Sequence, residues 1–336
     1  MTSKLSKSLH IAPMMGYTNR HFRYLMRLIA PQSIVYTEMI TTGACLFGNQ
    51  ATLLAFDKAE SPIVCQIGGS NPQECAESVK IIESYGYSGI NLNVGCPSSR
   101  VQQGSIGACL YLKPKIVQSC IEAMSDVTQL PITIKCRIGV NDLDDYKTLL
   151  NFVQMCYDSG VKCLQLHARK AILNLSPKAN RLIPPLNYQY VYNIQNDMPE
   201  CNIILNGGVN TLDTVISSIG KVSGFMVGRA AYQNPWLLRA FDSYISTFNN
   251  CESTDRDRFS RRDNTSERIK VVDDYLSYAE SQYKLGVSSR VLLRPLANLC
   301  HSLHHAKRWR HTLNNMMQTN TIMKDKECLL QCLVNQ

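Results

Sequence analysis

The feature that most narrows the fold is a recurrence: eight short β-branched or apolar runs with helical stretches between them. They read His10-Ile11-Ala12, Ile34-Val35-Tyr36, Ile63-Val64-Cys65-Gln66, Ile90-Asn91-Leu92-Asn93, Ile132-Thr133-Ile134-Lys135, Leu164-Gln165-Leu166-His167, Ile203-Ile204-Leu205-Asn206 and Phe225-Met226-Val227. Strands alternating with helices run parallel, because each helix carries the chain back to the same edge of the sheet. Eight such units over about 240 residues match a (β/α)₈ TIM barrel, whereas the rival doubly wound sheet has no need of eight. Helix starts are marked at Asn71-Pro72, Lys113-Pro114 and Asn210-Thr211, where a side-chain oxygen or an early proline serves the first-turn amides. The reading divides the chain into a barrel domain over 1–245, a polar linker over 246–266 and a small helical domain over 267–336. In that last region Ile269, Val272, Leu276, Ala279 and Tyr283 fall at helical spacing, and Pro295 marks a break or kink.

Charge separates the two ends of the chain. The formal net charge is +9, and from Ser281 to Met323 there is no carboxylate at all, while Lys284, Arg290, Arg294, Lys307, Arg308 and Arg310 lie there with His301, His304, His305 and His311. Such a stretch cannot neutralise itself. It suits a polyanion, since lysines and arginines that neutralise phosphates release condensed counterions; a solvated basic helix face is the plainer alternative. With 45% hydrophobic and 18% charged residues, the chain has the composition of a globular protein and not of a disordered one. No apolar run is long enough to span a bilayer and no signal-peptide core follows Met1, so a cytoplasmic protein without membrane attachment is expected. The fourteen scattered cysteines fit reduced thiols better than a disulfide framework. His301, His304, His305, Cys328 and Cys332 lack a matching second pair at structural-zinc spacing, so no metal is expected. Nothing points to a protein partner, and a monomer is the expectation.

In a barrel of this kind the working groups gather at the carboxyl ends of the strands. The residues there are Pro13, Met14 and Met15; Glu38; Gln66; Asn93 through Cys96; Lys135 and Arg137; His167 and Arg169; Asn206-Gly207-Gly208; and Gly228-Arg229. The glycine turns after the last two runs, with Arg229, offer backbone amides and a guanidinium where barrels commonly hold a phosphate, although glycines also serve simply to turn a chain. Lys135 is costly to bury without a partner and so faces either an anionic, electron-rich group or Glu38 across the barrel mouth. A flavin that becomes negative on reduction is one such group, and Gln66 offers its ring both a donor and an acceptor. Cys96, in the loop Asn93-Val94-Gly95-Cys96-Pro97-Ser98, is a thiol placed to donate a proton, with Cys109 as the competing candidate and a buried small hydrophobe as the ordinary role.

With these residues assembled, the chain resembles the tRNA-dihydrouridine synthase family, and its DusA-type branch in particular. The carrying motifs are Ala12-Pro13-Met14-Met15-Gly16-Tyr17-Thr18-Asn19-Arg20, Tyr36-Thr37-Glu38-Met39, Asn91-Leu92-Asn93-Val94-Gly95-Cys96-Pro97-Ser98, His167-Ala168-Arg169-Lys170, Ser176-Pro177-Lys178-Ala179-Asn180-Arg181 with Ile183-Pro184-Pro185-Leu186, and Val227-Gly228-Arg229. The resemblance implies FMN held by Pro13, Met14, Met15, Gln66, Lys135, His167, Asn206, Gly207, Gly208, Gly228 and Arg229. It implies Cys96 as general acid, Asn93 on the target uracil, and Lys178, Arg181, Lys307 and Arg310 on tRNA. The implied chemistry is reduction of FMN by NADPH, hydride transfer to carbon 6 of a D-loop uracil at position 20 or its neighbour, and protonation of carbon 5. The tail departs from the family pattern, reading His304-His305-Ala306-Lys307-Arg308-Trp309-Arg310, where lysine keeps the charge of the usual arginine but loses its planar fork. Two other readings stay open: an FMN barrel acting on a free pyrimidine or another small molecule, and a tRNA-binding protein without chemistry.

Overall fold

The computed structural model describes residues 8–250, 265–322 and 326–334. All eight expected runs are strands: β1 (Leu9–Ile11), β2 (Ile34–Tyr36), β4 (Ile63–Gly68), β5 (Gly89–Val94), β6 (Ile132–Arg137), β7 (Cys163–His167), β8 (Asn202–Asn206) and β9 (Gly224–Val227), with a two-residue β3 (Ile40–Thr41) beside the end of β4. Every pairing is parallel, and the ring closes because β2 pairs with both β1 and β4 while β1 pairs with β9. A closed ring has no free edge, so the short strands leave no ladder open to water or to another chain.

The marked helix starts hold, each by the device its sequence allows. Asn71 accepts from the Glu74 amide at 3.1 Å to open Pro72–Ser84, and Thr211 accepts from the Thr214 amide at 3.2 Å to open Leu212–Ser218. Lys113 makes no side-chain cap, and there Pro114 removes one unpaired amide from the first turn of Pro114–Ser125.

The barrel interior is unequal. One side is apolar, built from Ala12, Ile34, Tyr36, Val64, Cys163, Ile204 and Met226. The other is a polar chain: Asn93 donates to Gln66 at 3.0 Å, Gln66 to Asn91 at 2.7 Å, and Asn91 to both Thr133 at 2.8 Å and Gln165 at 2.7 Å. Buried amides left unpaired would each cost about 1–3 kcal/mol, so these side chains hold only as a set. The register places Asn93 beside Lys135, and His167 beside Asn206, which stacks the polar groups towards the carboxyl ends.

By compactness the chain forms two units. The residues through Gly16 with Ile34–Gly228 make the first, and Tyr17–Ser33 with the described residues from Arg229 onward make the second. The helix Arg20–Ile29 and the residues 229–245, expected with the barrel, therefore group with the carboxyl-terminal helices. Of the expected linker, residues 251–264 lie outside the described residues, and its ends are helical, closing Leu237–Asn249 and opening Thr265–Lys284. Aromatic packing holds the second unit: Tyr24 stacks on Tyr278 with ring centres 3.7 Å apart, and His21 shares a 2.9 Å hydrogen bond with the Tyr278 hydroxyl. Pro295 ends Ser289–Leu293 as expected, and the chain continues as a 3₁₀ turn. Among the described residues no helix is long and apolar enough to cross a membrane.

Candidate active site

The carboxyl end of the barrel is built outward from the polar chain. Asn93, nearly buried, accepts the amides of Gly95 at 3.1 Å and Cys96 at 3.0 Å on its Oδ1, so the strand end itself folds the thiol-bearing loop. The Cys96 carbonyl accepts from Ala108 at 2.9 Å. Gly107 must be glycine there, because its φ is +78° and a Cβ would stand 2.6 Å from the Cys96 oxygen. Arg137 donates to the Gly95 carbonyl from Nε at 3.1 Å. Cys96 is thus a partly exposed thiol on a loop pinned at each neighbouring peptide group.

Its competitor is placed differently. Cys109 donates to the Ile106 carbonyl at 3.1 Å inside the 3₁₀ segment Gly107–Leu112, and burial pushes its thiol above the usual range. A thiol tied to a carbonyl is a poor proton donor to anything else, whereas Cys96 is a partly exposed thiol on the loop at the strand end.

Lys135 does not turn to Glu38. Its ammonium donates to Asn206 Oδ1 at 3.0 Å, Asn206 donates in turn to the Met226 carbonyl at 2.8 Å, and the Glu38 carboxylate accepts the Gly16 amide. Burial, then the neighbouring Arg137 cation, brings the Lys135 ammonium down to about 8. The ammonium is half-buried and its hydrogen-bond partner is neutral, so its charge is not balanced by that partner.

His167 lies against Gly207, where a Cβ would come within 2.4 Å of its ring, and both Gly207 and Gly208 have positive φ, +96° and +71°. The Tyr188 hydroxyl caps the Gly207 carbonyl at 2.8 Å, so the peptide groups of this turn are fixed in direction. Gly228 stands beside Ala12 and Met14, each 3.8 Å from the position a Cβ would take, while Pro13 is partly buried and Met15 is exposed. Gln66 is 1% exposed, and its amide donates once to Asn91 and accepts once from Asn93. The barrel thus brings together Gln66, Asn93, Cys96, Lys135, His167, Asn206, Gly207 and Gly208. Arg229 opens the helix Arg229–Gln233 of the second unit and is exposed.

The basic residues stand in two places. Lys178 and Arg181 lie on the loop after β7, with Lys178 exposed and Arg181 partly so. Lys307, Arg308 and Arg310 are exposed on Ala306–Gln318, whose opposite face buries Ala306, Trp309, Thr312, Leu313 and Met316. Trp309 fixes that rotation by donating its indole N–H to the Leu296 carbonyl at 2.8 Å.

Residues 10–335 match the sequence model of the family described as dihydrouridine synthase. The chain belongs to the dihydrouridine synthase family. Three relatives named tRNA-dihydrouridine(20/20a) synthase span most of this chain. That of Synechocystis is 40% identical over 91% of this chain and 88% of its own, that of Shewanella oneidensis 39% over 95% and 91%, and that of Haemophilus ducreyi 42% over 90% of each. Among solved structures, a 2-naphthoyl-CoA reductase complex covers 70% of this chain and 50% of its own, with a TM-score of 0.53 at 10% identity; the likeness is one of fold.

Sequence reasoning missed Asn91, Thr133 and Gln165, the lower half of the polar chain. Their signal was present: polar residues two apart on three successive strands otherwise built of isoleucine and leucine.

Proposed function

We propose that this protein reduces uridine to 5,6-dihydrouridine in the D-loop of tRNA, at position 20 or its neighbour 20a, using FMN and NADPH. The observation that carries the reading is the arrangement at one barrel end of an available thiol, Cys96, and a poorly solvated ammonium, Lys135, within a family that is flavin-dependent.

The residues fit such a cofactor. Gly207 and Gly208 present fixed peptide amides without side chains, as a phosphate requires, and Gly228 leaves room beside Met14. Lys135, held by Asn206, would offset the negative charge that the ring gains on reduction, and Pro13, Met14, Met15 and His167 would help to hold the group. Gln66, committed to its neighbours, would hold the ring's edge with its remaining donor and lone pair.

Bound at this end of the barrel and reduced by NADPH, the flavin would supply the hydride that carbon 6 of the uracil takes up. Breaking the ring's double bond then requires a proton at carbon 5, and the Cys96 S–H provides it; the thiolate recovers its proton from water, so each turnover consumes one hydride and one proton. Asn93 holds the turn that aims the thiol and would meet the uracil with its remaining N–H. Before this the base must leave its stack, at a cost of a few kcal/mol. Phosphate contacts from Lys178 and Arg181, and from Lys307 and Arg310 in the 267–336 region, would offset that cost while holding the tRNA in register. The protein would act as a monomer in the cytoplasm.

The test is spectroscopic and chemical together. The purified protein should be yellow, bleach with NADPH under anaerobic conditions, and regain its colour on addition of unmodified tRNA. A colourless protein that cannot be reconstituted with FMN would reject the reading.

A further inference from the structure

Two loops at the barrel mouth are sewn together by a side chain outside the machinery described so far. Gln102 lies on the short helix Ser99–Gln103, just beyond Cys96. Its Nε2 donates to the Pro97 carbonyl at 2.9 Å and to the Leu173 carbonyl at 2.8 Å. A primary amide has two N–H donors, and here each holds a different loop: one carries the thiol, the other follows β7 and carries Lys178 and Arg181.

The second loop is itself one hydrogen-bonded block. Asn180, fully buried, accepts the Ile172 amide at 2.8 Å and donates to the Ile172 carbonyl at 2.8 Å and the Leu175 carbonyl at 2.9 Å. Leu173 is held further by Asn141, whose Oδ1 accepts its amide at 2.9 Å. Arg137 reaches the same block from β6, donating from Nη1 to the carbonyls of Lys170 at 3.0 Å and Asn180 at 3.1 Å. A continuous set of hydrogen bonds therefore runs from the segment that carries Lys178 and Arg181 to Leu173, and from Leu173 only one side chain away lies Pro97.

We infer that Gln102 is a positioning residue that couples the basic loop after β7 to the Cys96 thiol, so that phosphate contacts on that loop set where the acid stands. The inference rests on the function proposed above for its link to turnover. The hydrogen-bonded strap itself does not.

Gln102→Met removes both donors at nearly constant volume. It should lower kcat on unmodified tRNA by about 10- to 100-fold, the scale of a misplacement near 1 Å, with KM for tRNA, flavin content and NADPH-driven bleaching within about two-fold of wild type. Gln102→Lys, whose ammonium can serve both carbonyls, should recover most of the turnover. The alkylation rate of Cys96, followed on its own peptide without RNA present, should rise several-fold in Gln102→Met and return towards wild type in Gln102→Lys.

The coupling has its own signature. Lys178→Ala should lower kcat as well as tRNA affinity in the wild-type background, but affinity alone beside Gln102→Met, because residues acting through one network are not additive. If Gln102→Met folds poorly, Gln102→Ser carries the same expectations. Unchanged alkylation of Cys96, or an equal loss of kcat from Lys178→Ala in both backgrounds, would overturn the inference. A wild-type protein that makes no dihydrouridine at all would refute the proposed function instead, while the alkylation rates would still decide whether the strap holds the thiol.

Discussion

The barrel and the helical unit use polar groups in opposite ways. At the barrel mouth the polar side chains are buried or half-buried and committed to named partners: Asn93 to Gln66, Lys135 to Asn206, Arg137 to three carbonyls. On Ala306–Gln318 the cations stand in water on the face opposite Trp309. Charge in the first setting acts over a few ångströms at low dielectric, where a shift of one atom changes the chemistry. In the second it acts over a Debye length and is screened by salt. The proposed function places the reaction in the barrel and the capture of a polyanion on the helices, and the two can be attacked separately.

The largest effect is expected at the thiol. Cys96→Ala should lower turnover on unmodified tRNA by about 10²- to 10⁴-fold, the usual contribution of a general acid, while leaving tRNA affinity and NADPH-driven bleaching intact. Comparable loss from Cys109→Ala with none from Cys96→Ala would reverse the assignment of the two cysteines.

Next comes Lys135. With its proton lost near pH 8 in the flavin-free protein, the cation is present below that pH and absent above it. FMN affinity should therefore be greatest below pH 8 and fall as the pH rises through it, and Lys135→Met should weaken binding by about 10-fold or more and abolish that pH dependence. A wild-type affinity constant from pH 7 to pH 10 would remove Lys135 from the cofactor's surroundings.

A smaller and different effect is expected on the helices. Lys307→Ala combined with Arg310→Ala should weaken tRNA binding and make its log–log salt dependence shallower by about 1.5–2, with barrel chemistry on bound tRNA unchanged. An unaltered salt slope would make this face merely solvated.

The smallest concerns stability within the second unit. Burial lifts the Asp242 carboxyl to about 6, although it accepts the Gln32 amide at 3.0 Å and has the Arg27 and Arg239 cations nearby. A carboxyl whose folded value lies above its unfolded one favours folding below about pH 4 and loses that contribution as the pH climbs to 6. Asp242→Asn keeps an acceptor for Gln32 and removes the charge, so it should raise the melting temperature by about 3 °C at pH 8 and leave it unchanged at pH 4.

Much of this was legible in the sequence, and the reason differs by element. The eight strands announced themselves as short β-branched or apolar runs recurring between helical stretches, and the carboxyl-end residues followed from the fold alone. The pair Ile40–Thr41 was not visible, since two residues carry no period. The grouping of Arg20–Ile29 with the later helices depends on packing between distant segments such as Tyr24 and Tyr278, which no local pattern encodes. Gln102 is the clearest illegible case: a glutamine on an ordinary short helix becomes informative only when the carbonyls of Pro97 and Leu173 are seen on either side of it.

The most direct test of the account is to incubate the protein and NADPH anaerobically with an unmodified tRNA transcript, and in parallel with free uridine, then map dihydrouridine by mass spectrometry. The expected result is one or two reduced uridines, at position 20 or 20a of the tRNA, and no change in the free nucleoside. Reduction of free uridine with the tRNA untouched, or flavin turnover that leaves both unreduced, would contradict it.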